Sequence, residues 1–104
     1  MLDMETIMLK GIRINYQAKT MQPVQFHKAD LVFVTQYGDR LWYIDLEGVN
    51  DRHLLAWFGQ SEDIAVVVRA DSIDGDVWEG MGYFHPNEPN NAAAIRGAGE
   101  LYKL

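Results

Sequence analysis

The chain has 104 residues, 48% of them apolar, and no cysteine, which suits one domain with a packed core and excludes a disulfide framework, a thiolate zinc site and a Cys nucleophile. Nine Lys and Arg against fifteen Asp and Glu give a formal net charge of -6, a balance that opposes binding to a phosphate backbone or an anionic membrane surface. The opening Met1-Leu2-Asp3-Met4-Glu5-Thr6-Ile7 carries acids where a secretory leader needs bases, and no apolar run approaches the ~20 residues of a membrane span, so a cytoplasmic location is expected.

Residues 1–7 show no decisive pattern and are expected to form a frayed tail or a short turn of helix. From Met8, the residues Met8, Ile12, Ile14 and Tyr16 share one parity while Arg13, Asn15 and Gln17 share the other, which predicts a half-buried strand over 8–18. A second strand is predicted over Ala29 to Tyr37. It turns at Gly38-Asp39 into Leu41 to Glu47, with Trp42, Ile44 and Leu46 on the buried face. Leu54, Leu55, Trp57 and Phe58 then fit a helical stripe, with Asn50 or Asp51 as cap and Gly59 just beyond, so a short helix is predicted around 51–58. A short strand over 53–58 is the competing reading. Ile64 to Ala70 and Val77 to Phe84 form a hairpin about Asp74-Gly75, and a last strand over Ala93 to Tyr102 follows the loop Pro86 to Asn91.

The last two strands carry glycine at alternate positions, Gly80 and Gly82, then Gly97 and Gly99. Alternate residues of a strand share a face, so each segment has a bare patch flanked by large apolar groups. Glycine weakens a strand unless the backbone must bend or be closely approached. The expected register sets Gly80 opposite Gly97, with Trp78 or Phe84 covering both. On the opposite face, Glu79 and Arg96 then form a cross-strand ion pair. Six antiparallel strands with open edges are resolved by closure, so the chain is expected to be a mainly β single domain, 1–104. Its form is a small meander coiled into a barrel, or a two-layer sandwich, with the helix plugging one end.

No chemical motif names a reaction. Asp71, Asp74, Asp76 and Glu79 invite a calcium reading, but an EF-hand register centred on Gly75 would demand oxygen ligands from Ala70 and Met81. Ser61 and Ser72 lie in no nucleophile turn, and the glycines lack the Gly-Lys-Ser or Gly-Lys-Thr continuation of a phosphate loop. His27, His53 and His85 have no ligand spacing. His85 is the most notable of them, a rim residue beside Pro86, Asn87 and Glu88, and an acid–base pairing with Glu88 or Asp76 is a third-ranked reading. No metal, cofactor or catalytic residue is expected, and the chain is read as a non-enzyme.

The aromatics exceed what so small a core uses. Tyr37, Tyr43 and Tyr83 on one outer face would form an amphipathic patch of the kind enriched at interfaces, joined by Trp78 and His85 as candidate binding residues. The leading expectation is a non-catalytic acidic binding or accessory protein. It acts on another protein or on copies of itself, with an inhibitor that occupies a basic surface as a subtype. The alternative is a carrier with an apolar pocket, lined by Trp78, at the barrel mouth for a small apolar ligand. Neither reading includes direct binding of nucleic acid or membrane.

Overall fold

Alternating apolar and polar residues build strands over most of the chain. The computed structural model describes residues 2–16 and 20–104. Its elements are β1 (Leu2–Ile14), β2 (Gln22–Pro23), β3 (Lys28–Gln36), β4 (Asp39–Glu47), α1 (Arg52–Gln60), β5 (Ala65–Ser72) and β6 (Val77–Asn87). A single 3₁₀ turn (Glu88–Asn90), β7 (Ala92–Gly97) and β8 (Tyr102–Lys103) complete it. Antiparallel pairing runs β1-β3-β4-β7-β6-β5, and β5 returns to β1, so six strands close a barrel. The outer strands β2 and β8 pair with β1 and β6. Closure selects the barrel over the sandwich. The runs β1-β3-β4 and β5-β6-β7 are joined by α1, which crosses one end.

The helix forms with the expected Asp51 cap but runs on to Gln60, so Gly59 lies inside it and Ser61 is the C-cap. The Asp51 carboxylate accepts from the Leu54 N–H at 3.0 Å, and Leu54, Leu55 and Phe58 are buried. Phe58 stacks on Phe84 with ring centroids 4.3 Å apart. This plug and the inward-facing Ile12, Ile14, Leu31, Ile44, Leu46 and Ile95 fill the barrel. A filled interior is usual for so few strands.

Three local expectations change. Residues 2–7, expected to fray, pair with β3 from Leu2 opposite Gln36 to Ile7 opposite Leu31. Their acids hide an alternation, Leu2, Met4 and Thr6 against Asp3, Glu5 and Ile7, that a strand satisfies. The register of β1 then shifts between Leu9 and Gly11, an extra residue that reverses the parity. Leu9, Ile12 and Ile14 therefore all point inward, while Met8, expected to be buried, stays exposed. The expected end of this strand at 17–18 lies outside the described residues. In the β3–β4 hairpin the two turn residues are Tyr37 and Gly38, not Gly38 and Asp39: both have positive φ, at 52° and 84°, and Gln36 pairs with Asp39. That geometry is a primed turn, whose twist matches the flanking strands.

The glycine strands pair two residues away from the expected register. Gly97 lies opposite Gly82, whereas Gly80 lies opposite Val68 on β5. The cover is Trp42, not Trp78 or Phe84. A Cβ at Gly97 would overlap the Trp42 indole, and one at Gly82 would come within 3.3 Å of it. The indole N–H donates to the Gly99 carbonyl at 2.8 Å. Gly99, at φ 145°, ends the expected long final strand; the chain then folds Leu101 over Gly80 and adds β8 to β6. Glu79 meets Arg69 at 2.6 Å instead of Arg96, because β5 rather than β7 is its neighbour at that height.

Gly97→Val should destabilise the fold by about 2 kcal/mol through overpacking against Trp42, lowering Tm by roughly 10 °C. Thermal melts of a cycle with Trp42→Leu should show non-additivity of at least about 1 kcal/mol. Additive single effects would mean that the two residues do not share one packed site.

Candidate functional site

The outward-facing parity of β3, β4, β7 and β6 assembles the candidate residues. Tyr43 on β4 lies opposite Arg96 on β7, and Arg96 lies opposite Tyr83 on β6. An exposed guanidinium thus stands between two tyrosines, whose aromatic faces and hydroxyls suit mixed apolar and polar contacts. One register step away, Met4, Val34 and Leu41 form an apolar row across β1, β3 and β4. Met81 lies beyond Tyr83 on β6. Leu41 and Met81 are 67% and 55% exposed. A depression of about 470 Å³ on this face is lined by Val34, Leu41, Tyr43, Asp45, Ala94 and Arg96, and by Trp42 and Gly97 at its base.

His85 belongs to the same outer face, farther along. It lies opposite Ala94, which lies opposite Asp45, which lies opposite Asp30. Ala92 and Ala94 leave a trough of about 550 Å³ between His85 on one side and Asp45 and Glu47 on the other, with Lys28 and Asp30 at its end. The acids near His85 in the register come from β3 and β4. Asp76 instead pairs with Lys103 at 3.3 Å, and Glu88 lies against Gly59 of α1. Neither forms a hydrogen bond to His85 among the described residues. No group of three His, Cys, Asp or Glu among those residues is placed to hold a metal ion. Glu100 raises the phenol of Tyr102 above its ordinary value, first by a hydrogen bond and then by its negative charge; both lie at the C-terminal end, near β8, outside the tyrosine row.

Of the five sequence candidates, Tyr43, Tyr83 and His85 therefore share one surface. Tyr37 does not join them: it is 85% exposed at the hairpin tip, with its backbone in the left-handed region. Trp78 does not join them either. It points into the barrel, is buried, and packs on Phe33 with centroids 5.1 Å apart, because its parity on β6 is that of Gly80, Gly82 and Phe84. Its indole N–H has no hydrogen-bond partner among the described residues.

Sequence reasoning overlooked Arg96 as a surface centre, and Leu41, Met81 and Met4 as exposed apolar residues. The alternation around each was legible, but which parity faced water required the register of the neighbouring strand. No helix among the described residues is long and apolar enough to cross a membrane. No protein-family model, curated protein or solved structure matches the chain.

Tyr83→Ala and His85→Ala should each change stability by no more than about 0.5–1 kcal/mol, as outward-facing residues do. Trp78→Ala should cost about 3–5 kcal/mol as an inward aromatic. Urea unfolding of the three variants checks the assignment, and a mild Trp78→Ala would return Trp78 to the surface.

Proposed function

We propose that this chain is a non-catalytic acidic binding protein that engages another protein through the outer face of β1, β3, β4, β7 and β6. The observation that carries the reading is the apolar row of exposed Met4 and Leu41 about half-buried Val34, beside the Tyr43–Arg96–Tyr83 row. Apolar residues with tyrosines and an arginine are the composition enriched at interface centres. Acids rim this surface: Asp30, Asp45 and Glu47 stand at one end. A partner with a basic surface fits that rim and the net charge of -6; an inhibitor that covers such a surface is the finer form of the proposal.

The carrier reading has less support. Phe58, Phe84 and Trp42 occupy the space a ligand would need, and the depressions described above are open to solvent rather than enclosed. A small apolar ligand would have to displace side chains from a close-packed interior, at the cost of their contacts.

The test is affinity purification from the source cell with the full chain and with the double variant Leu41→Glu, Met81→Glu, each quantified by mass spectrometry. Both side chains point to water, so the variant should melt within a few degrees of the parent. The expected outcome is a partner recovered at constant stoichiometry with the parent chain and reduced about tenfold or more with the variant. Equal recovery by both chains, or no stoichiometric partner, would overturn the reading.

A further inference from the structure

The barrel leaves one long strand edge open. Among the described residues, Leu2–Ile7 pair with β3 on one side and with no strand on the other. The direction of the backbone groups follows from one hydrogen bond. Ile73 donates its N–H to the Met8 carbonyl at 3.1 Å, from the side of β1 away from β3. In an antiparallel pair, alternate residues turn both N–H and C=O to the same side. Met4 and Thr6, which share the parity of Met8, therefore present their N–H and C=O at the open edge, while Asp3, Glu5 and Ile7 bond to β3. Residues 2–6 are exposed on both faces, so the edge stands clear of the barrel body. It contains no proline, and the irregularity of β1 comes only after Leu9. Such an edge is a template for another strand unless its side chains forbid it.

The side chains forbid one occupant and favour another. Paired antiparallel with itself in a continuous sheet, this segment sets Asp3 against Asp3, Asp3 against Glu5, or Glu5 against Glu5 in its central registers. Like charges directly opposite are destabilising, so a second copy is a poor fit. On the acid-bearing face Glu5 has Arg40 at 3.5 Å, and Asp3 has no ion pair among the described residues. The other face carries Leu2 and Met4, 54% and 59% exposed, with Met4 in line with Val34 and Leu41.

We infer that the open edge Leu2–Ile7 is a strand-addition site for an extended partner segment that alternates basic and apolar residues. Its backbone completes the bonds of Met4 and Thr6, its basic side chains meet Asp3 and Glu5, and its apolar side chains extend the row of Leu2 and Met4. Main-chain bonds supply affinity and the alternation supplies specificity. This rests on the proposed binding role and names the chemistry of the partner.

The experiment titrates ¹⁵N-labelled full chain with a short peptide alternating lysine and valine, and with its counterpart alternating glutamate and valine. The basic peptide should shift resonances within residues 2–8, slow the solvent exchange of the Met4 and Thr6 amides, and bind about tenfold or more tighter than the acidic one. Met4→Pro removes an N–H that faces only the open edge, a position where a strand tolerates proline, and should abolish binding. Asp3→Lys, which leaves every backbone group in place, should weaken binding about tenfold and keeps the test decisive if the proline variant does not fold. Absence of binding, equal binding of both peptides, shifts confined to the Asp45 and Glu47 trough, or full affinity in folded Met4→Pro would each overturn the inference. A partner lost by the Leu41, Met81 variant yet retained by Met4→Pro would refute the edge and leave the binding role standing.

Discussion

The seating of the Trp42 indole on a glycine-lined wall is the contact on which the closed end of this barrel depends. A strand wall carrying ordinary side chains at 82 and 97 would leave no room for a ring that size, because each Cβ would meet the indole or its neighbours closer than real contacts allow. With those positions bare, the ring lies against the backbone and its N–H reaches the Gly99 carbonyl. That bond holds the point where the chain leaves β7. It thereby directs Leu101 onto Gly80 and lets β8 take up the edge of β6 that β7 no longer covers. The glycines, which cost entropy in a strand, are offset by this packing.

The opposite end is closed differently. There α1 caps the barrel with Leu54, Leu55 and Phe58, and the stacked Phe58–Phe84 pair joins plug to wall. Aromatic rings therefore close both ends, one from a strand and one from a helix. Between them the interior is filled by buried side chains. The candidate residues lie on the outer face, where Tyr43, Arg96 and Tyr83 form one row and Met4, Val34 and Leu41 another. The shift in β1 between Leu9 and Gly11 links these two regions. By reversing the parity, it keeps Leu9, Ile12 and Ile14 in the core while the first half of the strand runs on beyond the barrel with both faces in water.

Charge organises what that exposed surface can accept. Asp3 and Glu5 stand on the strand whose edge is open, and Asp30, Asp45 and Glu47 flank the far end of the outer face. Lys28 stands among those acids, 3.8 Å from Asp30, and Arg96 lies at the centre, between two tyrosines. A surface with an apolar middle, an arginine and an acidic periphery suits a partner of opposite charge, since electrostatic complementarity governs encounter rate and register more than affinity.

Much of this was legible in the residues themselves. The period-two runs around Trp42 and Ile44, the helical stripe with its Asp51 cap, and the alternate glycines pointed to a mainly β domain with one short helix, because each depends on neighbours along the chain; barrel against sandwich, and helix against strand over 53–58, were left for the tertiary structure to decide. The tyrosines of β4 and β6 and His85 were recognisable as surface candidates for the same reason. What the sequence could not determine was anything that depends on pairing between distant strands. Gly97 meets Gly82 rather than Gly80, Glu79 meets Arg69 rather than Arg96, and Trp42 takes the place expected of Trp78. A two-residue slide between strands preserves every face and so leaves the local pattern unchanged; only the packing of one large ring against the bare backbone selects among such registers. In the same way, the alternation within residues 2–7 carried no sign of which edge would be filled, since that was decided by where β5 ends and β3 continues.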